Sequence, residues 1–449
     1  MPTVYPGSVV GTIATKMGTI RDFYNDFGCA CDGVTDDTAA ANAALASVSG
    51  SGNAAYIYLP SGLNMCVNYL ELPAGAQITL FGQGRGSTIT FIGTPPGRGR
   101  VIIPAGSQGV KISGLAFEGR VEPPALIDYA SYPSPTQANL VTGSTFWIQG
   151  GSLGGIQTND IEISDCWSNH PEGYLALLDA TGGAPTISNS LSNILIERLR
   201  SRNSRNNWFG AAGVYNCGGF GGGILVASDG QYSNCEDLTI RHCRFDRHSG
   251  NVIWMWAPAT TLLNRNISVI KNYIRVCALD GIQFACVDGG LEEGNVIEGF
   301  GYASTSDSDV FGYPRYLNAG GYKVVPVGYD TAGRALRLVR RGNRAWGNGN
   351  GYDLDCMGDG IVDGNHLTWA ATSGSQYAQA SLCGPANNGV NDGVGINTGN
   401  TNNDEGGSLL SITNNRISGF GSDGIAGNTL RNSFVANNSI STPGNSVGH

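Results

Sequence analysis

Charge is scarce in this sequence. Asp, Glu, Lys and Arg make up 14% of its 449 residues, against about 25% in ordinary soluble proteins. Lysine is nearly missing: Lys16, Lys111, Lys271 and Lys323 are all there is, so the basic charge is arginine. With a net charge of −9, neither a nucleic acid nor an anionic membrane is an expected partner. No apolar run approaches the ~18 residues of a membrane-spanning helix, so membrane insertion is not expected. Residues 1–18 lack a basic stretch followed by an apolar one, so the expectation is synthesis without a secretory signal. No CxxC pair, P-loop or HExxH occurs. The 11 cysteines are odd in number and spread along the chain, and no histidine stands near Cys29 and Cys31. A structural zinc site is therefore not expected, nor any other metal or cofactor. Cys243, Cys286 and Cys356 fall at apolar strand positions. They read as small core residues of a chain made in a reducing cytosol.

Glycine is what the sequence has in excess: 68 residues, roughly twice the usual share. It shows no three-residue period, which excludes collagen. The 41% apolar content supports a large core and excludes a disordered chain. The order lies in a longer repeat. Segments of the form apolar-x-apolar-x-x-Asn-x-apolar recur around Asn272, Asn295, Asn343, Asn365, Asn415 and Asn438. Several successive asparagines are 22 or 23 residues apart; wider gaps fit one coil plus an insertion. Leu115, Cys166, Leu199 and Cys243 hold the same place in earlier coils. Gly281, Gly351 and Gly424 each precede the next asparagine by 14 residues.

A unit of about 22 residues with short period-two strands cannot bury its inner face alone, but a stack of them can. The pattern predicts an all-β, right-handed parallel β-helix over 1–449, a single domain with coils over 51–440. The asparagines are expected to bond one another up the stack. Thr35 or Asp36 is the expected N-cap of a helix over Ala39 to Val48 that caps the core; a metal or catalytic role for Asp36 and Asp37 is the alternative. Gly82-x-Gly84-x-Gly86 reads as a coil turn, because no Rossmann unit follows it.

Asp26-Phe-Gly28, Asp32-Gly-Val-Thr-Asp-Asp-Thr38, Ile57-Tyr-Leu-Pro60-Ser-Gly62, Gly75 to Ile89 and Val110 to Gly119 together resemble the pectate-lyase-like β-helix superfamily. The likeness is to the branch that contains phage tailspikes. It covers roughly residues 20–119, and the coil pattern covers the rest. It implies a protein acting on polysaccharide outside the cell, in many cases as a homotrimer and in some as a virion tail component. It does not separate hydrolase, lyase, epimerase, glycan transferase and non-catalytic tail protein.

Aligning coils on Gly281 and Gly351 places Ile282, Phe284 and Cys286 with Tyr352, Leu354 and Cys356 on the inside. Gln283 and Ala285 then face outward, with Asp353 and Asp355. Ile253 and Met255 take the outward places in an earlier coil, and Gly395 and Asn397 in a later one, counted from Gly393. Lys323 is placed beside Asp353. Two carboxylates two residues apart along a strand have α-carbons about 7 Å apart, compatible with the acid and base of an inverting glycosidase. The other readings are a solvated acidic strand and a calcium site. Asp280 recurs as Asn350, Asp392 and Asp423, which favours a turn role over a catalytic one. Glu293 with Glu292 is a further candidate acid, and His248 with Asp246 a candidate base. Trp254 and Trp256 are read as core.

Insertions are expected near 120–156, 205–230, 300–333 and 369–392, emerging on one side. The third carries Tyr302, Phe311, Tyr313, Tyr316, Tyr322 and Tyr329, rings suited either to a carbohydrate cleft or to a neighbouring protomer. The sequence therefore favours a glycoside hydrolase built on Asp353 and Asp355. A polysaccharide lyase, an intramolecular glycan transferase and a glycan-binding adhesin are the alternatives.

Overall fold

In the computed structural model the described residues run from 20 to 441. Left out within that span are 49–53, 120–142, 180–190, most of 203–234, 256–263, 278–280, 301–326, 331–334, 370–393, 399–407, 427–429 and a few single or paired positions. The chain winds as a right-handed parallel β-helix. Equivalent strands of successive coils pair in parallel into sheets of 14, 13 and 11 strands among the described residues. The first sheet runs from Ile20–Asp22 to Phe434–Ala436, and the second from Asp32–Asp36 to Ser439–Ser441. The third runs from Leu70–Glu71 to Ile425–Ala426.

One core fills the space between the sheets, drawn from nearly every coil. Strand alternation produces it: Ile282, Tyr352, Ile396 and their equivalents point inward and are fully buried. Between first and second sheets the chain bends at the ladder position. The residue just before it adopts the left-handed conformation in every coil from Gly114 to Asn437, through Asp165, Arg198, His242 and Lys271. Leu115, Cys166, Leu199 and Cys243 fill the ladder position in early coils and are buried.

From Asn272 onward the ladder is polar. Each asparagine Oδ1 accepts the backbone N–H of the preceding ladder residue at 2.9–3.0 Å, from Asn272 to Asn438. From Asn295 onward it also accepts that residue's Nδ2 at 2.9–3.1 Å; Asn272 accepts from the Cys243 amide. Nδ2 donates in addition to a strand carbonyl, such as Glu292 O for Asn343. Replacing Asn343 with leucine strands the buried Asn295 amide and carboxamide at once. Each unsatisfied group costs about 1–3 kcal/mol, so Asn343→Leu is expected to lower the thermal midpoint sharply, read by circular dichroism.

The helix spans Thr38–Ser47 and buries Ala41, Ala44 and Leu45 against the first coils. Its N-cap position is Asp37, one residue later than expected. The Asp36 carboxylate accepts the Thr38 N–H, and Asp37 instead accepts the Ala30 and Cys31 amides. The Thr38 hydroxyl and amide hold the Asp36 carboxyl below its ordinary pKa. Both acids are thus committed to this turn. The Gly84–Gly86 segment is a coil turn, with Gly82 packed against Ser87 and Leu115.

Among the described residues seven cysteines, including Cys166, Cys235 and Cys243, are free and buried; Cys286 and Cys356 lie outside them. Burial pushes the thiols of those three up to about 12. Three stretches expected as insertions each contain a coil strand of the third sheet: Ser144–Gln149, Ile224–Ala227 and Val327–Asp330.

Candidate functional site

One outward column of the third sheet runs Ile102, Trp147, Leu177, Leu225, Trp254, Gln283, Asp330, Asp353, Asn397. Its first half is apolar. Leu177 and Leu225 are buried with Tyr174, and Trp147 and Trp254 pack on them, a cluster outside the main core. Carboxylates flanking this half are engaged. Asp179 accepts from Arg98 and from Trp147 Nε1, each at 3.0 Å. Glu172 takes both oxygens to Arg100 at 2.8 and 2.7 Å.

The column turns polar at Gln283, whose Oε1 accepts Asn251 Nδ2 at 2.6 Å. Asp330 pairs in register with Gln283 on one side and Asp353 on the other, and Asn397 follows. Rungs are about 4.8 Å apart. Two aspartate positions therefore stand side by side between two carboxamides.

The strand carrying Asp353 is pinned from within. Tyr352 is fully buried. Its hydroxyl donates to Asn365 Oδ1 at 3.0 Å and accepts Asn343 Nδ2 at 3.2 Å. The Arg340 guanidinium lies 5.2 Å from the Tyr352 ring centroid and 3.2 Å from Glu292 Oε1, with both charged side chains fully buried. Burial pushes the Glu292 carboxyl up to about 7, against the pull of Arg340. Burial also raises the Tyr352 hydroxyl well above its ordinary value, so it stays protonated.

Asp353 occupies the outer register position expected for it, between buried Tyr352 and Leu354. Asp355, Asp280, Lys323, Tyr313, Tyr316 and Tyr322 lie outside the described residues. The rung beside Asp353 carries Asp330, in the place expected for Lys323. Gly395, rather than Gly393, is the equivalent of Gly351: the Tyr352 amide bonds Gly395 O. Asn397 therefore lies beside Asp353 and not beside Asp355.

Trp254 takes the outer position in its coil, while Ile253 and Met255 are fully buried. A register difference of one residue exchanges the two faces of a strand. Glu293 and Glu292 point to opposite faces, so they form no acid pair; Glu293 is bound by Arg341 at 2.8 Å. His248 is buried edge-on against Phe245, and burial pushes it down to about 4. Its Nε2 stands 3.5 Å from the Ser201 carbonyl, whereas Asp246 faces Arg275 at 3.7 Å. The expected pairing of His248 with Asp246 is not formed.

Asp330 is the residue that sequence reasoning missed. A signal for it exists: Gly328-Tyr-Asp330 recurs 23 residues later as Gly351-Tyr-Asp353, one coil period. Among the described residues no three His, Cys, Asp or Glu side chains converge as a metal site.

The architecture defines the protein as a right-handed parallel β-helix. No family model and no curated protein matches the chain. Solved structures do. PfbA, a surface adhesin of Streptococcus pneumoniae, aligns at 15% identity over 89% of this chain and 85% of its own, with a TM-score of 0.52. A second structure of that adhesin aligns at 14% identity over 94% and 100%, also at 0.52. The A-module of the mannuronan C-5 epimerase AlgE4 from Azotobacter vinelandii aligns at 16% identity over 94% and 96%, at 0.49. At such identities the likeness shows the fold alone.

Proposed function

We propose that the protein is a polysaccharide-cleaving glycoside hydrolase whose site is the polar half of the third sheet's outer column. The carrying observation is the register of Asp330 beside Asp353, flanked by Gln283 and Asn397. One carboxylic acid protonates the glycosidic oxygen, the bond to the anomeric carbon breaks, and water supplies the new hydroxyl. Asp330 and Asp353, about one 4.8 Å rung apart, approach the roughly 5–5.5 Å separation of a retaining pair. The pair expected from the sequence, Asp353 with Asp355, would call for the inverting separation instead; Asp355 lies outside the described residues. The adjacent-rung pair is the one we favour. The two glutamine and asparagine carboxamides orient sugar hydroxyls. The same reading has the chain acting outside the cell, as a homotrimer.

The test is a product assay on bacterial capsule, exopolysaccharide and plant glycans. New reducing ends without the ultraviolet absorbance of an unsaturated uronate are expected, with retained anomeric configuration by NMR. Absorbance would mean a lyase and would remove this reading. A second reading, a non-catalytic glycan-binding surface protein, is favoured by the use of the same fold in the pneumococcal adhesin. It predicts binding without product.

A further inference from the structure

The outer face of the second sheet holds a groove of about 380 Å³ that the cleavage site does not use. One column of its floor runs Thr88, Ala116, Trp167, Arg200, Arg244. A parallel column runs Glu118, Asn169, Arg202, Asp246. At about 4.8 Å per rung, Arg200, Arg202 and Arg244 fall within two adjacent rungs. Like charges set directly across a ladder destabilise it.

The fold leaves this repulsion standing. Elsewhere arginines are matched to acids: Arg241 with Glu197 and Arg341 with Glu293 on the first sheet, and Arg198 with Asp165 at the bend beside it. Those of the groove are held in place without being neutralised. Arg202 Nε donates to Asn169 Oδ1 at 3.0 Å, and Asn169 donates to Glu118 at 2.8 Å. The Arg244 guanidinium lies 5.0 Å from the Tyr273 ring centroid. Arg200 has no carboxylate partner among the described residues. In a chain of net charge −9, such a concentration of uncompensated guanidinium is a local exception.

Two more features point to a ligand. Trp167 lies against Gly84, where an added Cβ would stand 3.4 Å from its ring. Its Nε1 is buried with no acceptor, and the buried Oδ1 of Asp246 has no donor. Buried polar atoms in folded proteins are nearly always satisfied. Here a donor and an acceptor in one groove are not.

We infer that this groove binds a carboxylated polysaccharide, a uronic-acid chain lying along the β-helix axis. The planar guanidinium groups suit carboxylates, which they bind two oxygens at a time. Glu118 and Asp246 accept sugar hydroxyls, which a polyuronate presents beside each carboxylate. Trp167 offers an apolar edge for a sugar ring. The rung spacing lets successive sugars meet successive arginines. The inference does not rest on the cleavage reading.

Calorimetric titration tests it in the Asp353→Asn background, so that cleavage does not interfere. Oligogalacturonate and oligomannuronate are compared with a neutral maltooligosaccharide, a sulfated oligosaccharide and a single-stranded oligonucleotide. A uronate oligomer is expected to bind at least tenfold more tightly than the other three, and more weakly as salt rises. Arg200→Ala combined with Arg244→Ala is expected to lower that affinity at least tenfold without lowering the thermal midpoint, since the substitutions also relieve the like-charge pair. Trp167→Phe, which removes the buried donor together with part of the ring, is expected to weaken binding several-fold. Undiminished binding in the double arginine variant would overturn the inference. So would absence of uronate binding, or tighter binding of the sulfated glycan or oligonucleotide. If cleavage of every glycan fails while uronate binding survives, the cleavage reading falls alone.

Discussion

Asp353→Asn is expected to abolish glycan cleavage while leaving glycan binding and the thermal midpoint unchanged. The expected loss in kcat is about 10²–10⁴-fold, the contribution of one positioned acid or base. Asparagine keeps the shape of the side chain and removes its proton chemistry. Asp330→Asn is expected to match it, because Asp330 and Asp353 pair in register on adjacent rungs. Asp355→Asn is expected to cost far less. Activity in Asp330→Asn equal to wild type, with loss in Asp355→Asn, would transfer the chemistry to the same-strand pair and to inversion. Full activity in Asp353→Asn would remove the column from the reaction. The midpoint matters as a control, since the neighbouring Tyr352 and Leu354 are fully buried and a misfolded strand would mimic a catalytic loss.

Arg340→Met should be the most destabilising of the single substitutions considered, and its effect should depend on pH. Arg340 and Glu292 lie in register on adjacent strands of the first sheet, at positions that neighbouring coils fill with Val269 and Val362. Both are fully buried, 3.2 Å apart. Removing one partner leaves an uncompensated buried charge, at a cost of about 3–5 kcal/mol. At low pH Glu292 escapes by taking a proton, so the loss is expected to be smaller at pH 5 than at pH 8.

The wild type carries a milder form of the same dependence. The folded carboxyl is raised to about 7, above its unfolded value near 4.3. The folded state therefore holds more protons between these values. The stability contribution is full below the unfolded pKa and is lost as pH rises through about 7. The double variant Glu292→Leu with Arg340→Met is expected to recover most of the loss and to flatten the pH profile, since a well-packed apolar pair replaces a buried ion pair at little cost. Urea unfolding at the two pH values reads the wild type and both variants. A single variant as stable as wild type at pH 8 would show that water reaches the pair.

The repeat was legible because each coil carries its own copy of the signal. A bend needs a residue in the left-handed conformation followed by one that fits the ladder. That pair can be read at Lys271-Asn272, Gly342-Asn343 or Asn414-Asn415 without knowing anything of the neighbouring coils. Inward and outward positions near a ladder residue follow by alternation, so Tyr352 inside and Asp353 outside were readable from their own strand. Correspondence between coils was readable only where no long insertion intervened. The segment before Val327–Asp330 and the one before Ile396–Asn397 have lengths that the coil does not dictate, and the landmarks there slip by two residues or more.

The sequence by itself determined the parallel β-helix, the asparagine ladder and the outward place of Asp353, because these arise from spacing within one turn of chain. Only the tertiary structure decided what stands next to what. Asp330 beside Asp353, Trp254 on the outside, and Arg340 stacked on Glu292 in the core each depend on which residue of one coil lands on which residue of the next. So does the arginine groove, assembled from five coils. Parallel pairing sets that correspondence through backbone hydrogen bonds between segments 20 to 50 residues apart, and loops between them change length without changing the pairing.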